Sequence, residues 1–121
     1  MSTAKRIMIV DDHVVIRRTV CSLFANQGFE VCAAENGSDA IRKAQELRPD
    51  LIVLDLAMPV MNGLEVARAL KLLMPQVPLV MFTSTVGKTM EQEARTAGIS
   101  AVVSKAEPAQ QLFDQVEALL P

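Results

Sequence analysis

Five short apolar runs, each followed by a stretch of helical periodicity, dominate this 121-residue chain. The runs are Ile7–Val10, Phe29–Ala33, Leu51–Leu54, Leu79–Phe82 and Ala101–Val103. Each is too short for a buried helix, and runs of this length bounded by polar residues read as strands buried on both faces. Between them, Ile16, Val20, Leu23 and Phe24 recur at i, i+4, i+7 and i+8. That stripe predicts a helix whose Arg17 and Arg18 turn to solvent. Val66, Leu70, Leu73 and Met74 repeat the spacing, and Leu112, Phe113, Val116, Leu119 and Leu120 mark a further helix. Asn36-Gly37-Ser38-Asp39 supplies a turn and cap ahead of the helix carrying Ile41, Ala44 and Leu47. Pro108 suits the first turn of the last helix. Between Gly87 and Gly98 only Met90, Ala94 and Ala97 offer an apolar face, so the fourth helix should bury least and open most easily.

Strands that alternate with helices call for a parallel sheet covered on both faces and joined by right-handed crossovers. The expectation is one three-layer α/β domain over residues 1–121, with no linker, no repeat and no output domain in this chain. Half the residues are apolar, yet no run approaches the ~18 needed to cross a membrane. The N-terminal MSTAKRIMIV lacks the apolar core and cleavage site of a secretion signal, which points to the cytoplasm. Cys21 and Cys32 lack metal-ligand spacing and read as free thiols in a reducing compartment. The net charge of -2 argues against a phosphate-backbone binder. Four Phe, with no Tyr or Trp, leave no platform for stacking single-stranded bases.

In open α/β sheets, ligands bind beyond the carboxyl ends of the strands. There the chain places Asp11-Asp12 after the first run, Asp55 after the third, Thr83-Ser84 after the fourth and Lys105 after the fifth. Singly, each has a plain explanation: Asp12 as a cap of the first helix, Thr83 or Thr85 as a cap of the fourth, Asp55 as a turn former, Lys105 as a solvated loop residue. Jointly they converge on one rim. Three carboxylates at one rim repel each other and need a cation. An all-oxygen donor set suits a hard ion, Mg²⁺, with Mn²⁺ as a permitted substitute. A hydroxyl and an ammonium beside it complete a set able to hold a phosphoryl group.

With Asp11-Asp12, "DLAMPVMNG" from Asp55 to Gly63, Thr83 and Lys105 in this order, the chain resembles a response-regulator receiver domain over nearly its whole length. It is similar to receivers that precede a helix-turn-helix output domain. The resemblance implies a flavodoxin-like (βα)5 fold with strand order 2-1-3-4-5. It implies that Asp55 accepts a phosphoryl group from a sensor histidine kinase or phosphotransfer protein. It further implies metal binding by Asp11, Asp12, Asp55 and the backbone carbonyl of Ala57, and pairing of Lys105 with Asp55 or its phosphate. Thr83 would be the switch hydroxyl and Ser84 a small residue that gives access. The output would be a changed surface of the fourth helix, fifth strand and fifth helix, read by a downstream protein or a DNA-binding domain, with homodimerisation left open. Val102 stands where many receivers have an aromatic switch residue, and Ala106 where a proline often follows the lysine. His13 reads as a partly exposed residue at the start of the first helix.

Three other readings compete. A phosphatase of the aspartate-nucleophile type needs a second acid two residues after the nucleophile, and that position is Ala57. A nucleotide carrier needs a glycine-rich loop after the first strand, where Asp11-Asp12-His13-Val14 would repel a phosphate. A degenerate receiver that only docks partners usually lacks one of the acids, and here all three are present.

Overall fold

The computed structural model describes residues 4–120. Its elements alternate strictly: β1 (Arg6–Val10), α1 (Val14–Asn26), β2 (Glu30–Ala34), α2 (Gly37–Leu47), β3 (Leu51–Leu54), α3 (Gly63–Leu73), β4 (Leu79–Thr83), α4 (Lys88–Thr96), β5 (Ala101–Ser104) and α5 (Ala109–Leu119). The strands form one parallel sheet in the order β2-β1-β3-β4-β5.

The two-residue period of a strand divides the core between the two faces of the sheet. Met8, Val10, Ile52, Leu54, Leu79 and Met81 face α2, α3 and α4, where Ala40, Ala44, Val66, Ala67, Leu70 and Ala94 meet them. Ile7, Ile9, Leu51, Val53 and Val80 face α1 and α5, packing on Val20, Phe24, Leu112 and Val116. The central strands β1 and β3 show no exposed apolar position, which is why they read as continuous apolar runs rather than as alternating ones.

Several boundaries and faces differ from the sequence expectation. Phe29 precedes β2 and closes an aromatic cluster, with ring centroids 5.6 Å from Phe24 and 5.8 Å from Phe113. Backbone pairing carries β4 on to Thr83 and β5 to Ser104. Pro108 stands just outside α5, at its cap. The buried stripe of α1 centres on Ile16, Val20 and Phe24, so Leu23 lies on its edge at 39% exposure. Leu73, in the last turn of α3, is 49% exposed. Asn36 caps α2 as expected, its side chain accepting from the Asp39 N–H at 2.8 Å.

Within α4 only Ala94 is buried, while Met90 packs partly against the core. A methyl group buys little burial energy, of order 1 kcal/mol. Amide hydrogen exchange is expected to be fastest in α4 among the five helices. Protection of α4 equal to that of α3 would contradict this account.

Candidate functional site

Strand register builds the site. Val10 pairs with Leu54, so the next residues, Asp11 and Asp55, leave adjacent strands side by side. The Asp55 N–H donates to the Val10 carbonyl at 2.9 Å, and the Asp11 N–H to the Ala34 carbonyl at 3.2 Å. On the other flank Thr83 pairs with Ser104, and the Lys105 N–H donates to the Thr83 carbonyl at 2.8 Å. All the strong polar groups predicted for the rim therefore sit at one end of the sheet.

Asp11, Asp12 and Asp55 each present a carboxylate oxygen, and these atoms lie within 4.8 Å of one another. Asp11 and Asp55 are buried, at 3% and 6% exposure, whereas Asp12 is exposed. Lys105 Nζ lies 2.9 Å from Asp11 Oδ2 and 3.2 Å from Asp55 Oδ1, bridging the two buried acids. Phe82 lies beneath it, with its ring centroid 5.9 Å from the ammonium. One ammonium thus pairs with the two buried acids, and the three carboxylates keep a net negative charge.

That imbalance appears in the acid-base properties. Burial pushes the Asp55 carboxyl above the usual carboxylate range, and the Asp11 charge pushes it further against the pull of Lys105. Burial alone would lower the Lys105 ammonium, but its hydrogen bond and ion pair with Asp11, then with Asp55, raise it overall.

The plain capping roles do not hold. His13 occupies the cap position of α1, and its N–H donates to Asp11 Oδ1 at 2.8 Å, so Asp12 is not the cap. Gly87 stands at the cap of α4 with no side-chain bond. The Thr83 hydroxyl instead accepts from the Thr85 N–H at 3.1 Å, within its own loop. Thr83 itself is buried, and Ser84 and Ala57 are exposed at the rim. Val102 is half-buried against the α4 side of the core. The Lys105–Ala106 peptide is trans, like every other among the described residues.

Two features escaped the sequence reading. Arg17 does not face solvent: its Nη1 donates to the Asp11 carbonyl at 2.8 Å, back across the first turn of α1. Helical spacing could not show this, because a long side chain reaches well away from the face that its Cα occupies. Asn62 and Glu65 form a reciprocal capping box that starts α3 directly after the Asp55 loop. Its N-x-x-E spacing stands in the sequence. Within that loop Val60 takes φ 69°, a left-handed value that β-branched residues rarely adopt, in a tight turn closed by the Met61 N–H on the Pro59 carbonyl at 2.8 Å.

The family model of the response regulator receiver domain matches residues 7–117. The chain belongs to this family. Among relatives, the receiver is 36% identical over 115 residues to the response regulator protein VraR of Staphylococcus epidermidis, covering 93% of this chain and 55% of that protein. The chain spans about half the length of VraR and about a quarter of the protein-glutamate methylesterases it also matches. Among solved structures, the receiver superposes on the chemotaxis protein CheY4 of Vibrio cholerae with a TM-score of 0.93 at 29% identity, covering 98% of this chain and all of that one. It superposes on the response regulator TrrA of Thermotoga maritima, in complex with Mg²⁺ and BeF, with a TM-score of 0.88 at 30% identity, covering 96% and 99% of the two chains. No helix among the described residues is long and apolar enough to cross a membrane.

Proposed function

We propose that this receiver domain accepts a phosphoryl group on Asp55 from a phosphohistidine of a sensor histidine kinase or phosphotransfer protein. One observation carries the reading: three carboxylates and Lys105 share one cluster at the carboxyl end of the sheet. The site also fits Mg²⁺, because three clustered oxygen donors with one ammonium leave negative charge for a hard cation to offset. Asp11, Asp12, Asp55 and the Ala57 carbonyl would hold it, and TrrA was solved with that ion. When bound, Mg²⁺ supplies charge neutralisation for the phosphoryl oxygens.

The chain's own residues do the rest. An Asp55 carboxylate oxygen attacks phosphorus, the new O–P bond forms, and the donor's N–P bond breaks with its electron pair leaving on the imidazole. The Asp55 N–H is tied to the Val10 carbonyl of β1, and the next residue, Leu56, accepts from the Gly63 N–H at the start of α3, so the nucleophile needs little reorganisation. Lys105 is already placed to pair with the added negative charge. The Thr83 hydroxyl, which now holds the Thr85 N–H, is the group that would turn to the phosphoryl and draw the β4–α4 loop with it. The thinly buried α4 then makes α4, β5 and α5 the surface that changes. A downstream protein, or a DNA-binding domain, would read that surface.

The test is incubation with acetyl phosphate and Mg²⁺, followed by intact mass. The expected result is a gain of one phosphoryl group, abolished by chelation of the metal. An unchanged mass would favour a receiver that only docks partners, and turnover of unrelated phosphate esters would favour a phosphatase.

A further inference from the structure

Arg17 is a cation at the rim of an acidic site that has no part in the chemistry described above. We infer that Arg17 is a positioning residue for Asp12. The Asp11 carbonyl that accepts its hydrogen bond belongs to the peptide joining Asp11 to Asp12. That peptide plane therefore cannot turn while the guanidinium holds it at 2.8 Å. The next peptide is held as well, by the His13 N–H on Asp11 Oδ1 at 2.8 Å.

Asp12 lies between these two fixed points. It is exposed, and none of the side-chain hydrogen bonds or ion pairs around the site involves its carboxylate. Asp11 differs: its N–H, its carbonyl and both carboxylate oxygens are all engaged, the last with His13 and Lys105. The direction of Asp12 into the cluster is thus set by its backbone, held on one side by the Arg17 guanidinium and on the other by the Asp11 carboxylate. Arg17 is half-buried, whereas Arg18, its neighbour with the same charge, is exposed.

The inference rests on the reading of Asp12 as a metal ligand, and the sign of the effect separates positioning from charge. Removing a positive charge near an acidic site strengthens the binding of a divalent cation. Removing a positioning bond weakens it. The test titrates MgCl2 into the full chain and follows amide resonances, with far-ultraviolet melting of the metal-free protein alongside. Arg17→Ala is expected to bind Mg²⁺ about fivefold to tenfold more weakly, the worth of one charge-assisted hydrogen bond. Arg17→Lys, which keeps a donor of the same charge, should recover part of that loss, and Arg18→Ala should not weaken binding. Unchanged or tighter Mg²⁺ binding by Arg17→Ala overturns the inference, as does a fall in melting temperature with affinity unaltered. Asp12→Asn separates the two levels. If it loses Mg²⁺ while Arg17→Ala does not, only the positioning role fails; if it binds Mg²⁺ normally, the metal reading fails and the inference with it.

Discussion

Asp55→Asn is expected to abolish phosphoryl uptake from acetyl phosphate while raising the melting temperature of the fold at neutral pH. The first effect follows from loss of the proposed nucleophile. The second follows from where the carboxylate sits. Asp55 is 6% exposed and shares Lys105 with Asp11, so burial and the Asp11 charge hold its pKa above the ordinary value of 3.8. A carboxyl whose folded pKa is raised contributes stability that is fully present below its unfolded pKa. That stability is lost as pH rises through the folded value. At neutral pH the ionised group therefore costs stability, and an isosteric amide removes the cost. The gain should be of order 1 kcal/mol, about 3–5 °C in melting temperature for a domain of this size. Melting curves of both proteins should nearly coincide in shift near pH 4 and separate toward pH 7, since Asp11, Asp12 and Lys105 face the position in both. A variant that melts below the parent at neutral pH, or one that still gains the phosphoryl mass, would count against this description of the site.

Gly63→Ala is expected to cost about 3 kcal/mol, or roughly 10 °C in melting temperature, and to slow phosphoryl uptake at least tenfold. A Cβ at this position would lie 2.3 Å from the Asp55 carbonyl oxygen and 3.0 Å from the Leu56 Cα. Both are backbone atoms, and neither can swing aside. The Asp55 N–H is tied to Val10 at 2.9 Å, and the Gly63 N–H itself donates to the Leu56 carbonyl at 2.8 Å. Relief of the clash has to move Asp55 or the start of α3. Gly37 is an internal control, because a Cβ there meets Val66 Cγ2 at 2.7 Å and Met61 Sδ at 2.8 Å, which are side-chain atoms. Gly37→Ala should destabilise the α2–α3 contact yet leave the rate of uptake near that of the parent. Equal rates in the two variants would show that close approach at Gly63 does not position Asp55.

How much of this was legible beforehand depended on the range of the interaction. Periodicity alone determined the five strands, the five helices and the thin apolar face of α4, because burial on one face or on both leaves its period in the chain. The position of Asp11, Asp12, Asp55, Thr83 and Lys105 at or just beyond strand ends was equally legible, since a parallel sheet gathers all those ends on one side. The cap at Asn36 was local as well. What the sequence did not carry is register and reach. Only the pairing of Val10 with Leu54 sets Asp11 beside Asp55, and only the packed sheet buries Asp55 enough to raise its pKa. The family resemblance implies pairing of Lys105 with Asp55 or its phosphate, but its shorter contact is with Asp11, because β5 delivers it across β4 to both acids. Arg17 was assigned to solvent by its helical position, yet its guanidinium bonds the Asp11 carbonyl six residues back. Leu23 and Leu73 fit an apolar stripe and still remain exposed, at 39% and 49%. Local periodicity fixes which way a Cα–Cβ bond points. Where a long side chain ends, and what has been stripped of water around it, is settled by residues far away in sequence, and so by the tertiary structure alone.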